Sequence, residues 1–78
     1  MKRGDKPIIF HPHAEQALVR RGIDKTQVVA TIKNPSSVGR AKRPDATRFE
    51  KAFSARRRLA VIAVEYPELI LVLTAFWI

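Results

Sequence analysis

The sequence predicts an α+β fold in which two short N-terminal helices pack on a four-stranded antiparallel sheet. Three observations carry this prediction. Apolar residues recur at helical spacing up to Lys33, then change to strand-like patterning beyond Pro35. Only two or three residues separate the two helical stretches, which makes them a tight pair. The apolar runs of the second half are joined by short turns, and strands joined that way must be antiparallel. A chain of 78 residues has room for one domain, taken as 1–78 with a loose leader over 1–7.

Ile8–Phe10 is a short apolar run, either a first strand or a segment packed on the core. A helix starts at Pro12, because proline is tolerated at the first helical position and Glu15 in the early turns suits the helix dipole. His11 falls near its N-cap. Ala14, Ala17 and Leu18 form its inner face, and Gly22 stops it after Arg20-Arg21. Asp24 with Gln27 three residues on reads as a capping box for a second helix, Lys25–Lys33, that buries Val28, Val29 and Ile32. Asn34-Pro35 ends it, since a residue before proline is pushed out of the α region.

Ser36–Arg40 reads as a short strand and Ala41–Asp45 as a basic loop. Thr47–Phe53 alternates, with Phe49 and Phe53 on one face and Arg48 and Glu50 on the other, as in a half-buried strand. Ser54-Ala55-Arg56 reverses the chain. Arg57–Tyr66 and Leu69–Trp77 are apolar on both faces, the mark of central strands. Tyr66-Pro67-Glu68-Leu69 fits a turn with proline at its second position.

Composition excludes several classes. There is no cysteine, so no disulfide framework and no thiolate metal site. At 46% hydrophobic residues the chain is globular in composition. Lys plus Arg is 15 against 7 acids, a net charge of +8. All the basic residues lie before Leu59, and the last twenty residues carry only Glu65 and Glu68. A basic front joined to an apolar back points to a polyanion or an acidic protein as partner. Glu65–Glu68 cut the apolar back into runs too short to span a membrane. No apolar signal segment follows Lys2 and Arg3, which fits a cytoplasmic protein.

His13 is the leading catalytic candidate. At the second position of a helix it sits beside unpaired backbone N–H groups, whose partial positive charge favours the neutral imidazole that a general base needs. The competing reading is that His11 and His13 cap the helix or lie in solvent. The arginines come in groups: Arg20-Arg21, Arg40 with Lys42 and Arg43, Arg48, and Arg56-Arg57-Arg58. Arginine forks bind phosphates bidentately. A strand holds Arg48 more firmly than a loop would, as a phosphate clamp requires, and Arg56–Arg58 sits at a strand start. The plain alternative is a solvated basic surface. Glu50 shares a face with Arg48 and would neutralise it; Thr74 reads as a core hydroxyl. No metal-ligand spacing is present, and no cofactor or glycine-rich phosphate loop is expected.

The run His13-Ala14-x-x-x-Leu18-x-x-Arg21-Gly22-Ile23, a second helix ending at Asn34-Pro35, a basic hairpin and a last strand through Leu73-Thr74-Ala75-Phe76 resemble one family. They are similar to small domains of unknown function related to BrnT and, more distantly, to RelE-like toxins. The likeness spans Ile8 to Phe76. It implies a compact ribonuclease-like fold, a toxin of a type II toxin–antitoxin pair, an acidic antitoxin as partner, and metal-independent cleavage of RNA. It matches His13 and Arg21 to the motif histidine and arginine. Where many relatives carry a basic residue four after the histidine, this chain has Ala17.

Together these give a ribonuclease-type toxin with His13, Arg48 and Arg58 at the reaction, and Arg21, Arg40, Lys42, Arg43, Arg56 and Arg57 on RNA. Two other classes stay open. One is a non-catalytic basic module that holds RNA or an acidic protein. The other is a structural subunit that forms a homodimer through its apolar last strand.

Overall fold

The computed structural model describes residues 6–78; positions 1–5, most of the expected leader, lie outside the described residues. The order of elements is β1 (Ile8–Phe10), α1 (Pro12–Arg21), α2 (Lys25–Lys33), β2 (Ser37–Arg40), β3 (Thr47–Ser54), β4 (Arg57–Glu65) and β5 (Ile70–Trp77). The strands form one five-stranded sheet in the order β1-β5-β4-β3-β2. β2 to β5 are antiparallel neighbours, as expected.

The expectation of four antiparallel strands needs correction. β1 is a fifth strand, it precedes both helices, and it pairs parallel with β5, making the sheet mixed. Three residues are too few to show alternation, and their partner lies at the far end of the chain. The ladder is extended at both ends, where the Ile70 N–H donates to the Pro7 carbonyl and the His11 N–H to the Val72 carbonyl, each at 3.0 Å. Lys6 adds an ion pair to Glu65 at 3.7 Å.

α1 continues from β1 and packs on β5. Its N-cap is His11, whose Nδ1 accepts the His13 N–H at 3.1 Å. At its C-terminus Gly22 adopts φ 65°, a left-handed conformation that glycine takes without a Cβ penalty, and its N–H reaches the Leu18 and Val19 carbonyls. α2 packs on β3 and β4. Gln27 reaches back to accept the Asp24 N–H at 3.0 Å, one arm of the expected capping box.

Both helices lie on the same face of the sheet. Ala14, Leu18, Ile23, Val28 and Ile32 meet Phe49, Leu59, Val61, Ala63, Ile70, Val72 and Ala75 in one buried core. Phe49, Val61 and Ala75 stand side by side in the register of β3, β4 and β5. Phe49 is fully buried; removing a side chain of that size from water contributes about 1.5–3 kcal/mol. No helix among the described residues is long and apolar enough to cross a membrane.

Candidate nucleic-acid interface

Side chains alternate across a strand, so the residues between those core positions rise from the other, helix-free face. Register sets them in rows. Gly39, Arg48, Ile62 and Thr74 form one row, and Ser37, Glu50, Ala60 and Phe76 the next. Arg58 opposes Ala52 one row further on. Glu50 therefore sits between two arginines: Arg48, two residues back on its own strand, and Arg58, its diagonal neighbour on β4. Diagonal cross-strand pairs are within reach of long side chains.

The contacts follow from this placement. The Arg48 Nε donates to Glu50 Oε2 at 2.7 Å, and the Arg58 Nε to Glu50 Oε1 at 2.8 Å. The Arg58 Nη2 also donates to Ser37 Oγ at 3.1 Å, tying the cluster to edge strand β2. The Arg48 guanidinium lies over the Phe76 ring, 5.2 Å from its centroid. Three side chains on rigid strands, each oxygen of one carboxylate taken by a different arginine, form a fixed array. Other ion pairs are weaker organisers. Lys25–Glu15 and Arg43–Asp45 have side chains roughly half exposed or more, where solvent screening leaves a pair worth about 0–1 kcal/mol.

Hydrogen bonds from Arg58, then from Arg48, hold the Glu50 carboxyl below its ordinary value; desolvation opposes them, and each of the two positive charges adds a smaller effect in the lowering direction. A carboxyl depressed in the folded state stabilises the fold fully above its unfolded value, about 4.3, and that contribution is lost as pH falls through the lower folded value. Melting temperatures followed from pH 5 downward should therefore drop more steeply for the wild type than for Glu50→Gln. Parallel curves would mean that the cluster adds nothing to stability.

The structure does not bring the three expected catalytic residues together. Arg48 and Arg58 share the helix-free face. His13 is exposed at the start of α1, in the layer on the other side of the sheet, its ring stacked on His11 at 5.3 Å. The expected grouping of His13 with the arginine clamp is corrected accordingly: sequence spacing gives His13 its place in a helix, but not the face of the sheet on which that helix lies.

The other basic residues divide. Arg40, Lys42 and Arg43 border a concavity on the helix-free face. Arg56 is exposed in the β3–β4 turn. Arg57 stacks on Trp77, 4.3 Å from the ring centroid, at the end of the sheet. Arg21 has a structural task. Its Nη1 donates to the Ala75 carbonyl at 2.8 Å and to Thr74 Oγ1 at 3.3 Å, and its own carbonyl accepts the Trp77 Nε1–H at 3.2 Å. Beyond Val72, β5 has no strand on that side, so Arg21 satisfies edge groups that β1 is too short to pair. Two participants were missed in the sequence. Glu50 was seen with Arg48 but not with Arg58, whose diagonal placement needs the register. Phe76 was taken as part of a generic last strand. Among the described residues, no group of three or more His, Asp or Glu side chains is placed to hold a metal ion.

Fold and site together define a small basic α+β domain whose sheet is covered by helices on one face and carries a carboxylate clamped by two arginines on the other. The chain belongs to the DUF4258 family, a domain of unknown function, whose family model matches residues 10–77. No curated protein and no solved structure matches it.

Proposed function

We propose that this domain binds single-stranded RNA across its helix-free sheet face and cleaves it without a metal, as the toxin of a toxin–antitoxin pair. The observation that carries the proposal is the Arg48–Glu50–Arg58 array on rigid strands, next to the end of β2 with Arg40 and the loop bearing Lys42 and Arg43. The resemblance to BrnT and RelE-like toxins supports the same reading. An acidic antitoxin would cover these arginines and compete with RNA for them.

The proposed chemistry is attack of a ribose 2′-oxygen on the adjacent phosphorus. Glu50 takes the 2′-hydroxyl proton, the P–O2′ bond forms, and the P–O5′ bond breaks. The 5′-oxygen leaves as a hydroxyl with a proton from water. Arg48 and Arg58 stabilise the charge that builds on the phosphorane oxygens. When an RNA phosphate draws both guanidinium groups toward itself, their hold on Glu50 loosens and its carboxylate becomes a stronger base, as general-base catalysis requires. His13 has no part in this scheme.

The test is incubation of the full chain with several single-stranded RNAs. Products ending in 2′,3′-cyclic phosphate are expected, unchanged by EDTA and by His13→Ala, and lost in Arg48→Ala. Cleavage that stops in EDTA or in His13→Ala would sink this mechanism. A second reading has its own observation: Glu50 already neutralises part of the arginine charge, as a purely structural ion cluster would. If the wild type binds these RNAs and cuts none, the domain is a non-catalytic binding module.

A further inference from the structure

Beside the arginine–carboxylate array lies a concavity of about 450 Å³. Its volume falls in the range of about 300–1,000 Å³ typical of small-ligand sites. The arrangement of its walls is informative. Ile62 from β4 and Leu73 and Phe76 from β5 make an apolar floor, each of them only partly buried. Arg40 from the end of β2, Lys42 and Arg43 from the β2–β3 loop and Arg48 from β3 border that floor with positive charge, and no carboxylate is among the described lining residues.

The four cations are not equivalent. Arg43 is engaged with Asp45 at 2.6 Å, and Arg48 with Glu50. Arg40 and Lys42 have no ion pair or side-chain hydrogen bond among the described residues, so their charge is available to a ligand. A bare phosphate would satisfy the rim and gain nothing from Ile62, Leu73 and Phe76. An apolar ligand would satisfy the floor and leave the rim unused. A ligand with a flat apolar body and an attached anion uses both.

We propose that this cavity takes one unpaired nucleotide of the RNA strand, its base on the floor of Ile62, Leu73 and Phe76 and its phosphate on Lys42 at the rim. The Arg48 guanidinium over the Phe76 ring extends the stacking surface, because bases stack on arginine planes as they do on aromatic rings. Thr74 Oγ1 already accepts from Arg21, so its hydroxyl hydrogen is left to donate to an acceptor on the base edge. A base inside a duplex is stacked between its neighbours and cannot enter. The cavity therefore selects single strands, and it fixes which nucleotide lies beside Glu50. This rests on the open-face reading above and adds a specificity-determining subsite to it.

The experiment uses the full chain and a short 2′-O-methyl RNA, which lacks the attacking hydroxyl and so reports binding alone. Affinity is measured for the intact strand and for strands carrying a single abasic position, moved along the sequence. One abasic position is expected to weaken binding roughly five- to a hundredfold, the contribution of stacking per base, with little effect at the others. In Phe76→Leu, whose fold is checked by circular dichroism, that difference should shrink several-fold. Lys42→Ala, on an exposed loop with no folding burden, should weaken intact and abasic strands alike. If every abasic strand binds as well as the intact one while binding remains salt-sensitive, the cavity proposal is overturned and the RNA-binding face survives. If no RNA binds, or if only an acidic, aromatic-rich peptide does, both are overturned.

Discussion

Glu50→Gln is expected to abolish RNA cleavage while tightening RNA binding. The two effects have one cause, the loss of a carboxylate that lies between Arg48 and Arg58. In the proposed scheme the carboxylate takes the 2′-hydroxyl proton, and a positioned general base contributes about 10²–10⁴-fold in rate. An amide cannot take that proton, so the cleavage rate should fall by at least the lower figure. In binding, the same carboxylate competes with RNA phosphates for both guanidinium groups. Glutamine keeps the size and one accepting oxygen but not the charge, so the arginines stay near their positions and become more available. Affinity should rise several-fold. A purely structural Glu50 predicts something different: a destabilised array, weaker binding, and cleavage reduced only in proportion to it. Cleavage by gel and affinity by filter binding on the same RNA separate these outcomes. Cleavage at the wild-type rate in Glu50→Gln would remove Glu50 from the chemistry.

The opposite signs make this substitution more informative than loss of an arginine. Arg48→Ala and Arg58→Ala are each expected to lower both binding and cleavage, because a clamp acts in the ground state and the transition state alike. Each also leaves a half-buried carboxylate with one partner fewer, so part of the loss would be structural.

Local chemistry made most of the fold legible. Pro12 and Gly22 bound the first helix, Asp24 with Gln27 starts the second and Asn34-Pro35 stops it, all through short-range rules. The alternation of Thr47–Phe53 gave both the strand and the face on which Arg48 and Glu50 lie. What stayed hidden depends on long-range pairing. In the sequence Ile8–Phe10 is open between a first strand and a core segment; its parallel pairing is decided by the free edge that β5 offers, which three residues do not announce. The diagonal from Glu50 to Arg58 depends on the β3–β4 register, which a turn over Ser54-Ala55-Arg56 alone does not determine. The sequence places His13 in the right helix, but that this helix lies on the face away from Arg48 and Arg58 is a tertiary fact that sequence spacing does not carry. Arg21 reads in the sequence as the motif arginine and as an RNA contact; only the short reach of β1 along β5 explains why it closes a sheet edge.

The face on which RNA lies is the central claim, and the salt dependence of binding tests it most directly. Each neutralised phosphate releases counterions, so log affinity falls with log salt with a slope of about −0.7 per phosphate for a single strand. The open face offers Lys42, Arg43, Arg48 and Arg58, with Arg40 at its rim, offset in part by Asp45 and Glu50. Three to four net contacts imply a slope of roughly −2 to −3, a twenty- to fiftyfold loss of affinity for a fourfold rise in salt. The decisive comparison is between variants of the two faces. Arg58→Ala removes an open-face charge; Arg20→Ala removes an exposed charge from α1, in the helical layer. The slope should become shallower by about 0.7 in Arg58→Ala and stay at the wild-type value in Arg20→Ala. A slope that changes in Arg20→Ala and not in Arg58→Ala would put the RNA on the helical side and contradict the account.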